Sequence, residues 1–170
     1  MNIILCGYKS SGKSTVGKAL ASALHFSFID TDQLILKRVN QMAGPALTIA
    51  EVHQQLGDTV FRAIEAEEVA QLQQVQQTVI ATGGGTVLNR TSVERLQRVG
   101  KLIYLRLNPE IIYQRFLNDN CFPSFLAKDN LKGSLEKDWA MRDKIYSAIA
   151  DKMIAIDNYS VQQSVDTILQ

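Results

Sequence analysis

Along the chain, short runs of apolar residues alternate with stretches in which apolar positions return every three or four residues. Asn2 to Cys6 reads as a buried strand, and Phe26 to Asp30, Thr78 to Thr82, Lys101 to Leu107 and Met153 to Asp157 read as four more. After the first strand, Val16, Ala19, Leu20 and Ala23 fall at helical spacing. Near-continuous apolar strands separated by amphipathic helices predict a parallel sheet covered on both faces, an α/β fold in three layers.

Polar residues mark the predicted helix starts. Thr48 with Glu51, and Thr91 with Glu94, have capping-box spacing, in which a hydroxyl accepts from a free backbone N–H and the carboxylate reaches back. Asn108 before Pro109 predicts a cap followed by proline at the first helical position. Asp58 predicts a cap for a helix carrying Phe61, Ile64 and Leu72. Ser160 predicts one for a last helix with Val161, Val165, Ile168 and Leu169 inside. No repeat or linker divides the chain, so residues 1–170 are expected to form a single domain. Leu117 to Gly133 has no clear period, and a loop of that length inside a compact domain predicts a lid or a disordered segment.

Composition removes several function classes. The chain is 46% hydrophobic with a formal net charge of +1, so no strong field favours nucleic acid or an anionic membrane. No apolar run is long enough to span a bilayer, and the N-terminus lacks the basic region of a signal peptide. Cys6 and Cys121 have no metal-site spacing, and Cys6 reads as a small buried hydrophobe. A cytoplasmic protein with reduced thiols is the expectation.

The chemistry starts at Gly7-Tyr8-Lys9-Ser10-Ser11-Gly12-Lys13-Ser14, which matches GxxxxGK[ST] between a predicted strand and a predicted helix. Such a loop turns its N–H groups inward as an anion nest, with the positive end of the helix dipole behind them. Lys13 then supplies charge to the β- and γ-phosphates, and Ser14 a hydroxyl to Mg²⁺. The base-reading Asn-Lys-x-Asp of GTPases is missing, and the chain is too short for larger ATPase modules. A small phosphotransferase remains, whose acceptor site is expected at the carboxyl ends of the strands. There Asp30 and Asp32 stand two apart: one could orient Mg²⁺ through water and the other accept a hydrogen bond from an acceptor hydroxyl, or both could be turn residues. Arg62 alone reads as a surface arginine. Gly83, Gly84 and Gly85 predict a ligand lying close to the backbone, or a flexible turn.

Taken in order, the loop ending Gly12-Lys13-Ser14-Thr15, the triplet Asp30-Thr31-Asp32, Phe61-Arg62 followed by Glu65, the run Val79 to Gly85, and Arg142-Asp143-Lys144-Ile145-Tyr146 resemble the shikimate kinases. The resemblance covers residues 2 to about 157. It implies a five-stranded parallel sheet in the P-loop nucleoside-monophosphate-kinase arrangement, with an acceptor-binding helical segment about 33–62 and a mobile lid about 117–133. It also implies transfer from ATP, with Mg²⁺ as cofactor, to the 3-hydroxyl of shikimate in aromatic amino-acid biosynthesis. Nucleotide would then be held by Gly7, Ser11, Gly12, Lys13, Ser14 and Thr15, with Arg115 against adenine and Asp157 to Ser160 on the adenine side. Ser14 and Asp30 would serve the metal. Asp32 would orient the acceptor, Arg62 and Arg142 would bind its carboxylate, and the three glycines would line the floor. Lys13 and Asp32 carry the catalytic roles. A monomer without nucleic-acid or membrane partners is expected.

Two positions depart from the family pattern. Its lid carries Arg-Pro where this chain has Phe122-Pro123, and no arginine lies between Phe116 and Met141. Lys128, Lys132 and Lys137 are then the expected sources of lid charge, without the forked geometry of a guanidinium. His53 stands where the family commonly has an aromatic near the acceptor; it could hydrogen-bond a substrate, and is expected rather to pack as an imidazole. Trp139 is expected to pack for the helix after the lid. Two other readings stay open: a kinase for another hydroxylated acid such as gluconate or quinate, and a nucleotide-binding regulator with weakened catalysis.

Overall fold

The computed structural model describes residues 1–43, 48–120 and 122–170. The expectation for Cys121 falls outside them. Five strands, β1 (Asn2–Cys6), β2 (Ser27–Asp30), β3 (Thr78–Ala81), β4 (Gly100–Arg106) and β5 (Lys152–Ala155), form one sheet in the order β2-β3-β1-β4-β5. Every neighbouring pair is parallel. The expected and observed strands agree to within two residues at each end. β2 starts late because the Phe26 N–H still bonds the Ala21 carbonyl, closing the first helix.

The helices are α1 (Lys13–Leu24), α2 (Thr31–Ala43), α3 (Ile49–Gln71), α4 (Arg90–Val99), α5 (Pro109–Asn118), α6 (Leu131–Ile149) and α7 (Val161–Leu169). Alternation along the strands divides the core between the two faces of the sheet. Leu5, Val79, Ile103, Leu105 and Ile154 pack with α1, α5 and α7, whereas Ile4, Ile80 and Leu102 meet Val69 of α3 and Leu96 of α4. Tyr104 and Cys6 meet Tyr146 of α6 on that second side. α2 and α3 close over their own cluster of Ile35, Val39, Val52 and Phe61. Burial pushes the Cys6 thiol up to about 12, so it stays a neutral hydrophobe. Among the described residues no helix is long and apolar enough to cross a membrane.

The caps at Thr48, Asn108 and Ser160 form as expected. Thr48 Oγ1 accepts from the Glu51 N–H while Glu51 accepts from the Thr48 N–H at 2.7 Å. Two expectations need correction. Thr91 and Glu94 make no capping box: α4 starts earlier, capped by Asn89, whose Oδ1 accepts from Ser92 N–H at 3.0 Å. Asn holds an N-cap better than Thr, and Glu94 instead pairs with Arg90 one turn away at 2.9 Å. Nor does Asp58 cap a new helix. A helix does start past the non-helical break at Gly57 (φ 75°, ψ 162°), as expected, but the Asp58 carboxylate turns to His53 and Arg62 and leaves it without a side-chain cap among the described residues.

Candidate active site

β1 runs into the loop Gly7–Gly12, and α1 leaves it. Gly12 is the N-cap of α1 at φ 89°, a left-handed conformation that glycine adopts without strain. Without a capping side chain, the first-turn N–H groups of α1 are free to meet an anion. Lys13 is buried, and its Nζ donates to the carbonyls of Gly7 at 2.9 Å and Tyr8 at 2.8 Å. Burial lowers its pKa to about 8, against the upward pull of Asp32, Cys6 and Asp30. A cavity opens beside the loop, lined by Gly12, Lys13, Ser14, Thr15, Asp30 and Asp32. Gly7 and Ser11 shape the loop instead, the Ser11 N–H donating to the Tyr8 carbonyl at 3.2 Å.

The two aspartates, two apart in the sequence, belong to different elements. α2 begins at Thr31, immediately after β2, so Asp30 ends the strand and Asp32 lies in the first helical turn. Asp30 Oδ1 accepts from the Asp32 N–H at 3.0 Å, and Asp30 Oδ2 from Ser14 Oγ at 2.5 Å. This donor set fits Mg²⁺, which takes one or two protein oxygens and keeps water and phosphate oxygens for the rest. Among the described residues no three acidic, His or Cys side chains cluster as a tighter metal cage. Burial and the Asp30 charge push the Asp32 carboxyl up to about 6, with Glu65 adding to the rise and Lys13 and Lys9 opposing it.

A second cavity lies on the other side of Asp32, lined by Asp32, Arg62, Gly83 to Gly85 and Arg142, with His53, Phe61 and Phe125 among its further walls. Arg62 is held by Glu65, at 2.8 Å to Nη1, and by Asp58, at 3.3 Å to Nε. Glu65 is itself fixed by the Thr86 hydroxyl, which donates to it at 2.8 Å. Arg142 is buried. Its Nε meets Asp138 at 2.9 Å, its Nη1 donates to the Gly84 carbonyl at 3.2 Å, and its guanidinium packs over the Phe125 ring 4.6 Å from the centroid. In both arginines Nη2 has no partner among the described residues. Two guanidinium groups, each held by carboxylates, thus line one cavity, an arrangement suited to a carboxylate.

The three glycines have a reason that the sequence did not disclose. A Cβ on Gly83 would stand 2.7 Å from Asp32 Oδ1, on Gly84 3.1 Å from the Lys9 nitrogen, and on Gly85 2.3 Å from Arg62 Nη2. What approaches their backbone is the site's own residues. Thr31 Oγ1 accepts from the Gly83 N–H at 2.9 Å and the Tyr146 hydroxyl donates to the Gly84 carbonyl, which pins the segment.

Several expected residues lie outside the two cavities or beside them. Arg115 is exposed on the outer side of the P-loop, donating to the Ser10 carbonyl at 2.7 Å, and lines neither cavity. Asp157 accepts from the Asn108 N–H at 2.7 Å. Phe122 packs against Phe116 and Tyr113. Of the lid lysines, Lys132 pairs with Glu110 at 2.7 Å, and neither it nor Lys128 nor Lys137 lines a cavity. His53 both packs edge-on against Phe61 and lines the acceptor cavity, its Nε2 3.0 Å from Asp58. Trp139 packs as expected, donating to the Leu107 carbonyl at 3.0 Å beneath the Arg106 guanidinium.

Sequence reasoning gave no site role to Glu65, Asp138, Tyr146 or Lys9. The first three had a signal: they lie three or four residues from an arginine on one helix, where side chains meet. Lys9 had none beyond its place in the loop.

A family model described as shikimate kinase matches residues 9–170. A shikimate kinase of Caldanaerobacter subterraneus subsp. tengcongensis is 33% identical, covering 99% of this chain and 94% of its own length. One from Symbiobacterium thermophilum is 37% identical, covering 100% and 95%. Among solved structures, the shikimate kinase of Acinetobacter baumannii in complex with shikimate superposes with a TM-score of 0.88 at 29% identity, over 99% of this chain and 90% of that one. The shikimate kinase of Aquifex aeolicus superposes with a TM-score of 0.77 at 28% identity, over 99% and 94%.

Proposed function

The chain belongs to the shikimate kinase family, and from that premise we propose that it moves the γ-phosphoryl group of ATP onto the 3-hydroxyl of shikimate, in the route to aromatic amino acids. It is an ATP-dependent phosphotransferase acting on shikimate. The observation that carries the reading is the shared wall between the two cavities. Asp32 lines both, with the P-loop on one side and the guanidinium groups of Arg62 and Arg142 on the other.

Each residue then has work that its chemistry suits. Arg62 and Arg142 fix the shikimate carboxylate through Nη2, which aims the ring hydroxyls at Asp32. Asp32 accepts a hydrogen bond from the reacting hydroxyl and takes its proton as the new O–P bond forms. The bond from γ-phosphorus to the β,γ-bridging oxygen breaks, and its electron pair leaves with ADP. Lys13 exchanges the Gly7 and Tyr8 carbonyls for phosphate oxygens. Mg²⁺, held through Ser14 and Asp30, supplies further charge neutralisation when bound. Positioning does most of this work, because phosphoryl transfer leaves the protein little covalent chemistry. Residues 117–133 serve as the lid that keeps water from the γ-phosphate. Arg115 and Asp157 to Ser160 serve the adenine end, outside the two cavities. The enzyme acts as a cytoplasmic monomer.

A coupled ADP-release assay with shikimate, quinate, gluconate and no acceptor tests the proposal. Turnover is expected with shikimate and only a trace without acceptor. Turnover with gluconate or quinate but not shikimate would reassign the acceptor, and ATP binding without turnover on any acceptor would indicate a nucleotide-binding regulator.

A further inference from the structure

Phosphoryl transfer spreads negative charge over the three equatorial oxygens of the moving group, and a cation placed there stabilises the transition state. Among the described residues, every lysine and arginine that lines the two cavities is already tied to a protein partner, with one exception. Arg62 is paired with Glu65 and Asp58, and Arg142 with Asp138. Lys13 is tied to loop carbonyls at the nucleotide end. On the lid side, Lys132 is paired with Glu110, and the position before Pro123 is an apolar phenylalanine packed on Phe116. The exception is Lys9. It is half-buried in the P-loop and forms no ion pair among the described residues. It lines the acceptor cavity and the phosphate cavity alike, a position that among the described residues it shares with Asp32 and Gly84 alone. Its backbone rests against Gly84, where a Cβ would stand 3.1 Å from the Lys9 nitrogen, so a side chain at the floor glycine would press on Lys9.

We propose that Lys9 is a catalytic residue of this enzyme, its ammonium contacting the γ-phosphoryl group as it passes from ADP to the acceptor oxygen. The lid then needs no cation of its own, and a phenylalanine at position 122 is compatible with catalysis. Lys9 and Asp32 form a pair of opposite charge on the line of transfer: Asp32 takes the hydroxyl proton, and Lys9 offsets charge on the phosphoryl oxygens. Lys9 moves no proton and forms no covalent bond.

The inference rests on the shikimate kinase reading, and the test separates the two. Lys9→Met and Lys9→Arg are compared with wild type for kcat, for the KM of shikimate and for ATP affinity by calorimetry. Lys9→Met is expected to lower kcat at least about tenfold while ATP affinity and the KM of shikimate move by less than about threefold, and Lys9→Arg to recover most of the loss. A second readout needs no acceptor: fluoroaluminate with MgADP mimics the phosphoryl group in flight, and tightening of ADP by fluoroaluminate should fall in Lys9→Met by a similar factor. Unchanged kcat and unchanged fluoroaluminate tightening in Lys9→Met would overturn the role of Lys9. A wild-type enzyme inactive on shikimate would instead overturn the acceptor, with the fluoroaluminate measurement still deciding Lys9.

Discussion

Asp32 lies in the first turn of α2 with Asp30 beside it, and its carboxyl is pushed up to about 6 from an ordinary value near 4. Proton acceptance needs the ionised form, so kcat/KM for shikimate should fall as pH drops through about 6. The same shift is a cost to the fold. Ionised Asp32 destabilises the native state above that pH, and protonation relieves the cost below it. Asp32→Asn should therefore lower turnover by about 100-fold or more and yet raise stability near neutral pH by up to about 3 kcal/mol. Denaturant curves of both proteins from pH 5 to 8 check this. The gap should narrow as pH falls through 6, and a gap independent of pH would rule out Asp32 as its source. At this scale the sequence was legible where a motif fixes chemistry, as at Lys13 and Ser14. It was silent at Lys9, because only folding brings that side chain between two cavities.

Among the elements, helix starts separate what local sequence decides from what competition decides. The box at Thr48 was readable because nothing nearby rivals it. Thr91 and Glu94 had the same spacing, but Asn89 caps two residues earlier and Arg90 draws Glu94 to itself. Asn89→Ala should cost about 1 kcal/mol of stability, and Thr91→Ala much less. Thermal unfolding of the two variants measures the difference, and equal losses would contradict the cap assignment. α3 makes the same point at Gly57. The sequence suggested a new helix there, and the backbone does leave helical geometry at Gly57, with His53 before the break and Arg62 after it. Asp58 joins the two halves through both side chains.

For the whole molecule, the parallel sheet brings the ends of β1, β2 and β3 together, so that the P-loop, Asp30 to Asp32 and the three glycines become neighbours. Binding at that junction should stabilise the fold. MgATP at about a hundred times its Kd should add about 2.7 kcal/mol, or a rise in Tm of roughly 5–10 °C for a chain of this size. Lys13→Met should lose that rise without lowering the Tm of the unliganded protein, because the Lys13 charge is buried at a cost. A lower unliganded Tm would show that Lys13 instead holds the loop together through the Gly7 and Tyr8 carbonyls. The sequence by itself determined the strands, most helix starts, the phosphate-binding loop and the family, because those depend on neighbours along the chain and on motifs of fixed spacing. Only the tertiary structure decided why three glycines stand in a row, and which residues, Lys9 among them, line both cavities. Those depend on contacts between residues distant in the chain, and no local pattern encodes such distances.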